Sequence, residues 1–443
     1  MVPLIKIAAP KGPSVAEKIK LLRQSRRMTQ VDLAALVGCK PERIIKIEKG
    51  EAEYLPDMLE IIKKEFDIEG MPLTEQEREV FKRHIHVARS LVKPDSVEQV
   101  KEKLNSMAKV VNLEPCDYNL VTLYRMVDLL AILAEGNRAA FEEKFNSYPM
   151  HPDKMDSENL YYYNYIKGFM LFMCNSYIES LAHCHTALQT AENDSSIDSN
   201  RIAKLCYTVA ACYSNLEYPY RAIKYVCKAK ELYVEDVSED FCLYIANLLA
   251  RNYIRVNELG EAKQVLDEAL VKIASANSDM IAGLIMRCYG LMLQKSKDWN
   301  VSIDYFDKAL GYFKEDTDYY KSAICFKIHS LIGGRKFSSA KKLIAQAREA
   351  YDDEVWTIYF EALEHFYIIS RRISTRNYES CEYLETIAIP FFIQRYDYFF
   401  ALDYYKLLEC HYQKTNRHSQ TAMITRQILD LTNRCLLCPE GGI

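Results

Sequence analysis

From about residue 118 onward a small residue returns at a nearly constant interval. The series is Ala140, Ser180, Ala222, Ala262, Ser302, Ala340, Ser380 and Ala422, in steps of 40, 42, 40, 40, 38, 40 and 42 residues. A second series lies seven residues later: Ser147, Ala187, Ala229, Ala269, Ala309, Ala347, Ile387 and Leu429. A third lies twelve earlier: Asp128, Gly168, Ala210, Ala250, Gly290, Ile328, Ile368 and Cys410. The central members are almost all small and the outer ones drift. Small side chains at fixed places let helices approach closely, and terminal repeats lack a neighbour on one side. The period therefore predicts about eight stacked helix pairs over residues 118–434, joined by short turns such as NELG before Glu261 and KSKDWN before Val301. Scarce glycine (14) and proline (13) in 443 residues fit an all-α chain with short loops.

These offsets resemble the tetratricopeptide repeat, most strongly over residues 161–350. The step exceeds that repeat's usual length of about 34 residues, so helices or loops are longer here. HEAT-type repeats share the longer step, but the small residues on both sides of each anchor favour the tetratricopeptide form. The resemblance implies a right-handed α-solenoid whose first helices line a concave groove. On that face, offsets of eighteen, fifteen and eleven before the anchors gather Lys204, Tyr207, Tyr244, Asn247, Arg251 and Arg287. An asparagine amide donates to and accepts from one peptide unit. An arginine clamps a carboxylate through two parallel bonds. Tyrosine supplies flat apolar area with a polar tip. This is a candidate site for an extended peptide.

The stretch Met28–Gly50, MTQVDLAALVGCKPERIIKIEKG, reads as two short helices around a tight turn. Thr29 is the expected N-cap, and Val31, Leu33, Ala34, Leu36 and Val37 the expected apolar face. Gly38 stops the first helix, and Pro41 suits the first turn of the second. Ile44 and Ile47 face inward. This is the helix-turn-helix plan, whose second helix lies in the DNA major groove. Lys40 and Arg43 are assigned to base edges, with Glu42 accepting from a cytosine. Thr29, Gln30, Lys46 and Lys49 are assigned to the phosphate backbone. The plainer alternative is a structural hairpin with a solvated basic face.

The flanks, residues 14–27 and 54–68, carry apolar residues at helical spacing: Val15, Ile19 and Leu22, then Leu55, Met58, Leu59, Ile62 and Phe66. Together residues 14–70 resemble the five-helix phage-repressor, XRE-type DNA-binding domain. The resemblance rests on Arg23, Thr29-Gln30, Leu33-Ala34 and the Ile45-x-x-Glu48-x-Gly50 ending. It implies a structural Arg23–Glu48 pair. Ile45 departs from the family, which has a small polar residue there.

Charge is uneven. Residues 1–50 carry 11 Lys/Arg against 4 Asp/Glu, a balance of +7, while the whole chain is −4, leaving −11 for the remainder. A basic head on an acidic body suits a small nucleic-acid module joined to a part that need not touch DNA. Residues 1–13 are expected to be a flexible arm and residues 71–117 a pair of linker helices, with Thr74 as N-cap and Pro94 as breaker. Residues 435–443 form a tail. No apolar run is long enough to span a bilayer, and the fourteen cysteines show no disulfide framework, so a reducing cytoplasm is expected. Cys435 and Cys438 lack a second ligand pair, and His183-Cys184-His185 point different ways on a helix. No metal and no cofactor are expected. No nucleotide, serine-hydrolase or zinc-protease motif is present, so the chain reads as a regulator and not an enzyme.

Head and body together resemble the RRNPP peptide-pheromone receptors. The resemblance implies a homodimeric transcription regulator that binds double-stranded DNA, an operator built as an inverted repeat. Its repeats bind a short signalling oligopeptide, with Asn247 the best match to the family's peptide-holding asparagines. Two alternatives stand beside it: repeats that bind a partner protein, and a bifunctional regulator that also acts on a response regulator.

Overall fold

The computed structural model describes residues 16, 19–20, 23–24, 26–65, 75–90, 97–110, 118–135, 137–148, 150–194, 197–233, 239–275 and 278–436. The arm, Thr74, Pro94, Cys438 and the tail beyond 436 lie outside them. Among the described residues every regular element is helical. Those within Met1–Lys167 and Gln189–Ser196 make one compact unit, and those within Gly168–Leu188 and Ile197–Ile443 a second.

In the first unit the head is built from α1 (Gln30–Leu36), α2 (Pro41–Glu48) and α3 (Pro56–Glu65), with residues 16, 19, 20, 23 and 24 helical before them. Its core is Ile19, Leu33, Ala34, Ile44, Ile47 and Ile62, each at most 1% exposed. Burying an isoleucine this fully contributes about 1.5–3 kcal/mol. Gly38 turns the chain between α1 and α2 at φ 68°, in the left-handed region that favours glycine. Two expected core residues face water instead: Val31 is 60% and Leu55 49% exposed. Leu33, Ala34 and Val37 set the inward face of α1, and Val31 lies two positions, about 200°, away from Leu33. Ahead of α3, Tyr54 takes the place expected of Leu55.

The helices α4 (Glu75–Ser90) and α5 (Val97–Val110) pack on α6 (Tyr118–Ala134), which α7 (Arg138–Ser147) follows. The inward faces follow helical spacing, with Ile85 and Ala88 on α4 and Val97, Val100 and Leu104 on α5. Glu158, at the start of α8 (Ser157–Met173), draws cations from α4: Arg89 at 3.1 Å and Lys82 at 3.2 Å.

The second unit is an α-solenoid. Its first helices are α10 (Ser199–Asn215), α12 (Glu239–Arg255), α14 (Asp279–Lys295), α16 (Asp318–Gly333) and α18 (Glu354–Arg371). Its second helices are α9 (Tyr177–Glu192), α11 (Pro219–Leu232), α13 (Leu259–Lys272), α15 (Trp299–Tyr312) and α17 (Phe337–Ala350). The recurring small residues sit where its helices approach closely. Ser180, Ala222, Ala262, Ser302 and Ala340 are fully buried, as are Ala187, Ala229 and Ala309 seven residues on. A Cβ on Gly168 would meet the Cys184 Sγ at 2.7 Å, and one on Gly290 the Phe306 ring at 2.8 Å. Gly333 plays the same part against the Trp299 indole.

Each turn within a pair is closed five residues before the anchor by a residue in the left-handed region: Asn175, Glu217, Asn257, Lys297 and Arg335, with φ of 58–63°. The next amide then bonds back across the last turn of the helix, as Tyr218 N does to Tyr213 O at 2.8 Å and Lys336 N to Leu331 O at 2.8 Å. This is the Schellman closure, here without glycine. Each such residue costs on the order of 1 kcal/mol or more, held by the packing around it.

The series breaks at the C-terminal end for a local reason. The second helix after α18 runs as α19 (Tyr378–Tyr383), a π turn at Leu384–Ala388 and α20 (Ile389–Gln394). The π turn inserts one residue. The small buried position therefore falls on Ala388, while the expected Ile387 is 46% exposed. In the last pair, α21 (Tyr398–Lys414) and α22 (His418–Leu436), Ile424 and Leu431 are buried two positions beyond the expected Ala422 and Leu429.

Candidate functional site

The head presents the second helix of its helix-turn-helix with the charged side outward. Lys40, Glu42, Arg43, Lys46 and Lys49 are all exposed. Beneath them Arg23 and Glu48 form a buried pair, Nε to Oε1 at 2.7 Å and Nη2 to Oε2 at 3.0 Å. Burial pushes the Glu48 carboxyl up, but the bonds from Arg23 and Gln30 outweigh it and hold the group below its ordinary value. The pair fixes α2 against the first helix, and Arg23 adds a bond to the Met28 carbonyl at 2.7 Å. Two residues assigned to phosphates have partners inside the head. Thr29 forms a reciprocal cap with Asp32: its Oγ accepts from the Asp32 amide at 3.1 Å, and its own amide donates to the Asp32 carboxylate at 2.8 Å. Gln30 Nε2 donates to Glu48 Oε2 at 2.8 Å. The Thr29 amide is thus taken up by the cap, and only the Gln30 amide of the two stands at the start of α1.

In the second unit the groove candidates sit on α10, α12 and α14. Lys204 is exposed. Tyr207 is half-buried, edge-on to Phe241 at 5.4 Å, and Tyr244 packs beside the core of α12–α14. Asn247 is half-buried, and among the described residues its side-chain amide makes no hydrogen bond. Arg251 Nη2 donates to Ser214 Oγ at 2.8 Å and to Asn215 Oδ1 at 3.3 Å, while its Nε is buried without a partner among the described residues. Arg287 Nη1 donates to Ser322 Oγ at 2.6 Å, its guanidinium lying over Phe313 and Tyr319 at 5.9 and 5.6 Å.

Three charged residues of this region lay outside the sequence reading. Arg255 is one helical turn beyond Arg251. It bonds the Ser214 carbonyl at 2.6 Å and Glu217 Oε1 at 2.5 Å. Glu217 is the left-handed residue after α10, so its place depends on a turn conformation that spacing does not show. Burial pushes its carboxyl up to about 7, against the pull of Arg255 and Arg251. Asp397 precedes α21 and accepts from the Tyr359 hydroxyl at 2.6 Å. Burial raises it too, with the bond from Tyr359 and then Arg255, Arg395 and Arg287 opposing. Arg255 alone carried a signal, its i+4 relation to Arg251. Burial, Arg255 and Arg287 together lower Arg251 to about 10. The arrangement is a basic site held at one face of successive first helices, suited to an anionic or strongly polar guest.

His183-Cys184-His185 makes no shared site. Cys184 is buried beneath Ser180, and the His185 ring meets the Tyr213 hydroxyl at 3.1 Å. Among the described residues no helix is long and apolar enough to cross a membrane.

The helix-turn-helix family model HTH_3 matches residues 19–69. No curated protein sequence matches the chain. Among solved structures, that of a Rap protein complexed with competence and sporulation factor is similar at TM-score 0.66 and 14% identity. The match covers 81% of this chain and 99% of that one. The apo quorum sensor NprR from B. thuringiensis is similar at TM-score 0.64 and 19% identity, covering 80% and 99%. NprR in complex with its cognate peptide NprX gives 0.61 and 18%, with the same coverage. The chain thus carries an XRE-type helix-turn-helix of the HTH_3 family, joined to a repeat body with the α-solenoid fold of Rap and NprR.

Proposed function

We propose that the protein is a cytoplasmic, homodimeric transcription regulator that is switched by a short signalling oligopeptide. Its head binds promoter DNA, an operator built as an inverted repeat to match the two-fold of a dimer. Lys40 and Arg43 contact base edges, and Glu42 accepts from a cytosine. Lys46, Lys49 and the Gln30 amide hold phosphates. The peptide lies along Tyr207, Tyr244, Asn247, Arg251 and Arg287, with Lys204 at the rim. The domain division follows the sequence: head at 14–70, linker helices at 71–117, repeats at 118–434.

One observation carries this reading: a single chain joins an outward basic recognition helix to a repeat body with the fold of a quorum sensor whose structure holds its peptide. The guest acts only through unequal affinity for two arrangements of the body. The test is a mobility shift with duplex from upstream of the gene. Full-length protein retards it at concentrations that leave random duplex free, and Arg43→Ala with Lys40→Ala abolishes the difference. Equal retardation of both duplexes by the wild type would overturn the reading.

A further inference from the structure

We propose that the guest brings a carboxylate, received between Arg251 and Arg287; this rests on the reading of the α10–α14 face as a peptide site. The charge balance of the face is the argument. Three guanidiniums, Arg251, Arg255 and Arg287, stand on two successive first helices, α12 and α14. Among the described residues only Arg255 of the three has a carboxylate at contact, Glu217 at 2.5 Å, and it also holds the Ser214 carbonyl. Asp397 feels Arg255 and Arg287 from a distance, but its carboxylate accepts from the Tyr359 hydroxyl.

Among the described residues Arg251 and Arg287 are therefore held by neutral partners. Arg251 bonds a serine hydroxyl and an asparagine oxygen, and its Nε is buried with no partner. Arg287 bonds the Ser322 hydroxyl and stacks above two aromatic rings. The two guanidiniums also repel each other, which is part of what lowers Arg251. A half-buried cation with neutral partners lacks the charge-assisted, two-pronged bonding that a guanidinium makes with a carboxylate. A guest carboxylate supplies it and cancels the repulsion. A basic guest adds a fourth cation and is rejected. The unbonded Asn247 amide, one helical turn before Arg251, is placed to hold the peptide unit next to that carboxylate.

The carboxylate has two possible sources, an acidic side chain or the peptide's free C-terminus. Affinity selection on full-length protein separates them, using a randomised heptapeptide library made in free-acid and C-terminally amidated forms and read by mass spectrometry. With the terminus as source, amidation lowers retention by about 30-fold, as loss of one partner of a desolvated charge pair does. With a side chain as source, both forms are retained and both are enriched in Asp and Glu. Either result supports the proposal, and Arg251→Gln with Arg287→Gln then removes the preference at an unchanged melting temperature. These library arms use wild-type protein, so the test survives a variant that does not fold. Retained peptides that are indifferent to amidation and not enriched in acids would overturn the carboxylate and leave the peptide site standing. No retention from either library would overturn the peptide site and the proposal with it.

Discussion

The Ser302 hydroxyl donates to the Gly290 carbonyl oxygen at 2.9 Å, and Ser180 does the same to Gly168 at 2.7 Å. In both pairs the anchor serine of a second helix reaches back to the glycine twelve residues earlier on the first. The bond is possible because glycine lets the helices close on each other. At Gly290 the space a Cβ needs is filled by the fully buried Phe306 ring.

That relationship sets the first prediction. Gly290→Ala gains about 1 kcal/mol of helix propensity but drives a methyl into a ring with nowhere to move. Overpacking of this kind costs about 1–3 kcal/mol. Urea unfolding of the variant should show a midpoint below wild type. A midpoint at or above wild type would mean that the pair can separate without penalty.

The buried Arg23–Glu48 pair gives the second. Arg23→Ala leaves the Glu48 carboxylate, 2% exposed, without its charge partner. Removing one partner of a buried pair costs about 3–5 kcal/mol, enough to unfold a small head. The acid limb follows from the lowered Glu48 value. The stability it contributes is complete above the ordinary value of 4.5 and is lost as pH falls through the lower native value. Amide exchange in the head should report both effects, and protected Ile44 and Ile47 amides in Arg23→Ala would contradict the first.

Glu217 has the opposite sign. Burial raises it from 4.5 to about 7, so the folded chain holds a proton that the unfolded chain has released. Stability from this group therefore falls as pH rises between those values. Between pH 5.5 and 8 the wild type should lose on the order of 1–3 kcal/mol that Glu217→Gln does not lose. Parallel urea midpoints for the two proteins across that range would refute it.

On the head, phosphate and base contacts separate by salt and sequence. Lys46→Ala or Lys49→Ala should weaken binding evenly across duplexes and reduce the salt slope by about 0.9. Arg43→Ala should cost about 1–3 kcal/mol and relax preference at one base position. A competition assay over single-base operator variants checks both, and even weakening by Arg43→Ala would move that residue to the backbone.

The repeat was legible because close helix packing forces small residues at fixed steps, and Ser180 to Ala347 obey it. Its C-terminal end was not, because the π turn at Leu384–Ala388 shifts the register by one. In the last pair the large Ile424 and Leu431 fill the buried positions. The head's core could be read from Leu33, Ile44 and Ile47. Gln30 illustrates the limit there, since its bond to Glu48 depends on a carboxylate 18 residues away. Helical offset singled out Arg251 and Arg287 as groove candidates. It could not place Glu217 or Asp397, whose positions are set by a left-handed turn and a loop. Those two carboxylates decide which arginines lack an anionic partner.

The central claim is that occupancy of the repeat body alters DNA binding by the head. Its most direct measurement is fluorescence anisotropy of labelled upstream duplex titrated with full-length protein, alone and saturated with a heptapeptide retained in the library selection. The account predicts a change in DNA affinity of roughly 5- to 150-fold, the range of a 1–3 kcal/mol coupling, and no change with Asn247→Ala. Identical binding curves with and without the bound peptide would contradict it.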